Sequence, residues 1–227
     1  MSSSLLKSTS TVSLMTFLSR ILGFVRDVVA AHLFGVDASV DAFVAAFKIP
    51  NFLRNLFAEG AFSQAFVPVL SEYRTKSSPE RIQIFINHIA GNLGFILLCI
   101  SCLGVLFSVQ IVKIFNPGFT GERIVYASLM LKFTFPYLLF ISLTAFCGAI
   151  LNCYGSFSAP AFAPALLNIV LILTALFLSH YFQVPIYSQA LGVFIAGIAQ
   201  LALLLFFLYR KKLFPIPKIS WRDKGVG

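Results

Sequence analysis

The stretch SLMTFLSRILGFVRDVVAAHLF (Ser13–Phe34) decides how the rest of the chain is read. At 1.5 Å per residue it is long enough, as a helix, to cross a hydrocarbon layer of about 30 Å. Yet Arg20, Arg26 and Asp27 lie near its middle. With the span centred near Leu22, both arginines fall within about 6 Å of the midplane, too deep to escape by snorkelling. Each such residue costs roughly 2.5 to 3.5 kcal/mol even on the milder insertion scale, so water, partners or neighbouring helices must compensate.

Composition places this stretch in a membrane protein. Of 227 residues, 59% are hydrophobic, 11% are charged and 26 are phenylalanine, and mean hydropathy is +0.91; soluble domains of this size do not have that balance. Six spans are expected, at about 11–34, 41–70, 89–114, 124–151, 161–182 and 187–208, separated by short segments such as EYRTKSSPER and NPGFTGER. All six read as helices, because the period-2 alternation of a membrane barrel is absent. The chain thus divides into a transmembrane unit over 1–209 and a basic segment over 210–227.

The net charge of +9 is explained by orientation. Arg74, Lys76 and Arg81 follow the second span, and Arg210, Lys211, Lys212, Lys218, Arg222 and Lys224 follow the sixth, while GVDASVD after the first has two aspartates and no cation. The positive-inside rule then puts both termini in the cytoplasm, although Lys113 and Arg123 fall on the outer side. Charge so distributed argues against a nucleic-acid partner. The interrupted first apolar stretch also lacks the pattern of a cleaved signal peptide.

No metal or cofactor is expected. Cys99 and Cys102 match C-x-x-C but lie inside an apolar span, and His32, His88 and His180 fall on separate elements. No catalytic His/Asp or Ser/Lys constellation stands out, which disfavours an intramembrane enzyme.

The polar residues of the first two spans are arranged by helical phase. Ser10, Ser13, Thr16, Arg20, Gly23 and Asp27 form a stripe at three-four spacing. Arg26 sits roughly 120° round from Arg20, and Leu14, Leu18, Ile21, Val25 and Val28 form the opposite face. In the second span Asp41, Ala45, Lys48, Asn51, Asn55, Glu59 and Ser63 repeat the pattern, with Arg54 beside it. Pro50 predicts a bend near Phe47–Asn51, and Lys132 with Pro136 makes a weaker second instance. Pairing of Arg26 with Asp41 and of Arg54 with Glu59 would make these charges mere packing bridges. Four cations against three anions (Asp27, Asp41, Glu59) leave one over, which favours a water-filled, net-positive cavity for an anionic ligand. Arginine's planar fork of donors suits phosphate.

Several segments carry a resemblance. SRILGFVRDVVAAHLFG (Ser19–Gly35), DAFVAAFKIPNFLRNLFAEGAFSQAFVPVLSEY (Asp41–Tyr73), FPYLLFISLTAFCGAILN (Phe135–Asn152) and FSAPAFAPALLNI (Phe157–Ile169) are similar to the MurJ/MviN family of lipid II flippases. The resemblance implies an all-α, six-helix lobe, the N-terminal part of a two-lobe, fourteen-helix transporter of the multidrug/oligosaccharidyl-lipid/polysaccharide exporter superfamily. It implies flipping of lipid II, the undecaprenyl-diphosphate-linked peptidoglycan precursor, across the bacterial inner membrane. It also implies that Arg20, Arg26 and Arg54 bind substrate, that Asp41 and Glu59 match acidic motif positions, and that Asp27 follows Arg26 in the motif; Lys48 is added from the helical pattern alone. Gly23, Pro50 and Gly60 are the expected hinges for rocking between inward and outward states. Family members are more than twice as long, so a truncated N-terminal half is expected, with its partner lobe missing. An exporter of another polyprenyl-linked glycan and a non-transporting scaffold subunit of a cell-wall assembly complex are the alternatives.

Overall fold

The computed structural model describes residues 3–54 and 62–219. Within them the chain forms nine α-helices and no strand: α1 (Ser3–Phe34), α2 (Ala38–Arg54), α3 (Phe62–Lys76), α4 (Pro79–Leu106), α5 (Ser108–Phe115), α6 (Glu122–Thr134), α7 (Tyr137–Cys153), α8 (Ser158–Leu178) and α9 (Tyr187–Arg210). A 3-10 turn, Ser179–Tyr181, prolongs α8. Short connections make successive passes antiparallel. This brings Arg74, Arg81 and Arg210 to one end of the bundle.

Four stretches among the described residues are long and apolar enough to cross a membrane: Pro79–Leu106, Glu122–Cys153, Ser158–Tyr181 and Tyr187–Arg210. The first two expected spans are not among them: α1 carries Arg20, Arg26 and Asp27 close together, and the described part of the second is divided between α2, of 17 residues, and α3. The third pass begins at Pro79, ten residues before its expected start, and breaks at Phe107 before α5.

The two prolines differ in what they do to the helix. Pro50 is buried within α2, and the helix continues through it to Arg54. A proline leaves the carbonyl four residues back without its partner; here the Thr134 hydroxyl of α6 donates to the Ala46 carbonyl at 3.0 Å. Pro136, by contrast, divides the fourth pass into α6 and α7. Around it the backbone tightens to three-residue bonds, Leu138 N–H to Phe135 O at 3.0 Å and Leu139 N–H to Pro136 O at 3.1 Å. At the other end of α7, Gly155 at φ +71° supplies the left-handed turn. Gly155 N–H then reaches Asn152 O and Ser156 N–H reaches Leu151 O, closing the helix with a Schellman motif.

α7 is the centre of the bundle. Its Phe146, Ile150 and Leu151 join Phe66, Phe85, Leu204 and Leu208 in one cluster, and its Leu138 joins Ala46, Leu97, Met130 and Ala190 in another. Inside lipid such contacts gain dispersion and close fit rather than escape from water, and small residues let helices approach. Gly104 illustrates this: an added Cβ would lie 2.1 Å from the Phe135 ring.

The chain after α9 does not trail away. Residues 213–219 run beside α4, where Gln83 Nε2 donates to Phe214 O at 2.8 Å. Asn87 accepts Ile216 N–H on its Oδ1 at 2.8 Å and Lys218 N–H on its backbone carbonyl at 3.1 Å. Gly91 admits this strap, since a Cβ there would meet the Lys218 carbonyl oxygen at 2.4 Å. Nearby, the exposed Lys76 ammonium pairs with Glu72 at 2.9 Å and holds that carboxyl below its ordinary range.

Candidate functional site

α1 packs chiefly along α8. Leu14, Leu18, Ile21, Val25 and Val28 are exposed, but so are Ser13, Thr16, Arg20 and Asp27 of the polar stripe, so the two faces told apart by helical phase do not differ in burial. What fixes α1 against α8 is a residue that sequence reasoning did not single out. Asn168 is buried in the middle of α8, its Nδ2 donating to Ser19 O at 3.0 Å and its Oδ1 accepting from Arg26 Nη1 at 3.0 Å. A lone amide inside PALLNIVLIL was the available signal, because polar side chains within apolar spans commonly join helices.

Arg26 finds its carboxylate next door. Its Nε and Nη2 donate to Asp27 Oδ1 at 3.0 Å and 2.7 Å. The pairing considered between Arg26 and Asp41 does not occur; Asp41 lies at the opening of α2, which packs on α6, and its carboxylate faces Arg123 at 3.7 Å. Asp41 does not line the cavity that Arg26 and Asp27 share.

Two cavities lie between the helices. One, of about 450 Å³, opens between α1, α2, α8 and α9 and is lined by Arg26, Asp27, Lys48 and Asn51 together with Phe43, Phe47 and Gln189. Two cations against one carboxylate make its lining net positive. The other, of about 380 Å³, lies beside α7 and is lined by Arg54, Tyr137, Thr144, Asn152 and Gln200. Phe47 and Tyr137, with ring centroids 6.2 Å apart, stand between them. Asn51 on the first cavity accepts from Arg54 Nε on the second at 3.0 Å, so the two are joined by a hydrogen bond at their boundary.

Lys48 also borders a smaller cleft of about 250 Å³ with Phe52, Phe115 and Asn116. Arg20 is exposed on α1 and lines none of these three spaces. Gly23 faces Asn168, and a Cβ added there would lie 3.6 Å from its Nδ2, an ordinary contact; packing alone does not demand glycine at this position. Glu59, its considered pairing with Arg54, and Gly60 lie outside the described residues. Among the described residues no group of three His, Cys, Asp or Glu side chains is placed to hold a metal.

The chain has relatives among known proteins. Residues 30–227 match the family described as lipid II flippase MurJ. The chain belongs to the MurJ family. It is 44% identical over 224 residues to a probable lipid II flippase MurJ of Buchnera aphidicola subsp. Acyrthosiphon pisum, covering 98% of this chain and 44% of that protein. A Haemophilus influenzae protein of the same description is 45% identical over 221 residues, covering 93% and 43%. Among solved structures, lipid II flippase MurJ in an inward closed conformation superposes with a TM-score of 0.74 at 35% identity, over 92% of this chain and 43% of its own. The chain thus spans less than half the length of these MurJ relatives.

Proposed function

We propose that this chain acts as the N-terminal lobe of a lipid II flippase, a transporter rather than an enzyme, in the bacterial inner membrane with both termini cytoplasmic. The observation that carries the reading is the net-positive cavity lined by Arg26, Asp27 and Lys48, hydrogen-bonded through Asn51 to Arg54 on the neighbouring one. Cations placed in helices that cross lipid are costly unless they meet water or an anion. A diphosphate offers that anion, and the guanidinium fork matches its oxygens.

In this reading Arg26 and Arg54 hold the head group while the polyprenyl tail remains in lipid. Asp27 and Lys48 set the charge of the lining, and Asp41, already paired with Arg123, secures the outer end. Arg20 contributes from the exposed stripe of α1, where a second lobe would complete the cavity, and Glu59 belongs to the same charged set. The two lobes would rock about the midplane site, with Gly23, Pro50 and Gly60 allowing α1 and the α2 region to bend. Ligand drives that exchange only through different affinities for the inward and outward states. Membrane potential adds about 2.3 kcal/mol per elementary charge per 100 mV.

The test uses the full-length protein in cells depleted of their own flippase. Arg26→Ala and Arg54→Ala are expected to abolish support of growth and lipid II translocation, with Arg20→Ala impaired as well. Normal translocation by all three variants would overturn the cavity assignment.

A further inference from the structure

We propose that Asn168 is a positioning residue for Arg26: its amide selects the direction in which the guanidinium enters the cavity. This rests on the anionic-ligand reading above and adds to it a residue on a different helix, outside the charged spans.

The argument begins with donors. A guanidinium has five N–H groups. Nε and Nη2 each spend one on Asp27 Oδ1 and Nη1 spends one on Asn168 Oδ1. One N–H then remains on each terminal nitrogen, a pair suited to two oxygens of one phosphate. Without Asn168 the Nη1 side would be held by nothing on α8. Asp27 could not replace it, because Arg26 and Asp27 are sequence neighbours on one helix and their pairing leaves the guanidinium free to swing with α1.

The Asn168 amide is itself oriented. Its Nδ2 donates to Ser19 O, which requires Oδ1 to face Arg26; the flipped amide would put a donor against the guanidinium and an acceptor against a carbonyl. Asn168 is 7% exposed, so both ends of the amide must be satisfied, and the two bonds tie it to α1 seven residues apart. The effect is a fixed register of α1 on α8 and a fixed bearing for Arg26, set by one side chain. A residue that served packing alone would need no such polarity, for an aliphatic side chain fills an interhelical space in lipid without the cost of burying an amide.

The experiment is a double-mutant cycle on the 227-residue chain in lipid nanodiscs, with undecaprenyl diphosphate as the probe and undecaprenyl monophosphate as its control. Arg26→Ala is expected to weaken diphosphate binding roughly tenfold or more, and Asn168→Ala roughly five- to tenfold. In the Arg26→Ala background, Asn168→Ala should cause less than a twofold further loss, since the residue acts through the guanidinium. Equal loss in both backgrounds, or none in either, would overturn the proposal. Asn168→Asp, nearly isosteric and so a second route if the alanine variant fails to fold, should weaken binding at least as much, because its carboxylate takes up Arg26 as a counter-charge; wild-type affinity would count against the proposal. If Arg26→Ala and Arg54→Ala both bind diphosphate normally, the anionic-cavity reading itself falls, an outcome separable from failure at Asn168 alone.

Discussion

α1 and α7 are both apolar helices of one bundle, yet they are held in different ways. α7 is buried along most of its length, with Tyr137, Leu138, Phe146, Ile150 and Leu151 within 1% of full burial and neighbours on α2, α3, α4 and α9. α1 rests mainly on α8, exposes Phe17, Phe24 and Val28, and depends on a polar contact at Asn168. The difference separates scaffold from working surface. A helix enclosed by these neighbours cannot move without unpacking the core, whereas a helix with one main partner and one polar clasp can.

Three substitutions probe that division. The largest effect is expected at Phe146, whose ring lies 5.0 Å from that of Phe66 in the core. Phe146→Ala should lower stability by roughly 2 kcal/mol from the void it leaves, at about 24 cal/mol per Å³, measured by thermal unfolding in detergent. Transfer from water adds little, since the alternative environment is lipid. A melting curve unchanged from wild type would show that α7 is no more a scaffold than α1. Next, Thr134→Val removes the only described donor to the carbonyl that Pro50 leaves open. A loss of about 1 kcal/mol is expected, and it should vanish in a Pro50→Ala background, where Ala46 regains a backbone partner. The smallest effect falls on α1: Phe24, 70% exposed, should accept alanine within about 0.5 kcal/mol. A cost there comparable to that of Phe146 would mean that another surface covers this face and would erase the contrast.

Much of this was legible in the residues. Apolar length gave the four described stretches able to cross a membrane, because it follows from composition within a single helix; helical phase did not pick out the face of α1 that α8 covers. Pairings between helices were harder. Arg26 and Asp41 are plausible partners by charge, but α1 packs on α8 and α2 on α6, and that choice depends on long-range packing that spacing does not encode. Asn168 was missed for the same reason: its meaning comes from two atoms of α1 that stand 142 and 149 positions away. The prolines teach a related lesson. Pro50 and Pro136 have the same local chemistry, and whether the helix breaks depends on a neighbour, since Thr134 supplies what α2 lacks while the backbone at Pro136 tightens into three-residue turns.

The strap beside α4 decides which helix anchors the residues after α9. Contacts advance from Gln83 to Gly91 as the strap advances from Phe214 to Lys218, so the backbone turns back along the bundle after α9. It reaches a level about 18 Å along α4 from Pro79, twelve residues at 1.5 Å each. Residues 213–219 are thereby anchored on the flank of α4 instead of at the tip of α9. The helix that takes this anchorage meets α3, α6 and α7, so the anchorage falls on the packed half of the bundle and not on the clasped helix that bears Arg26.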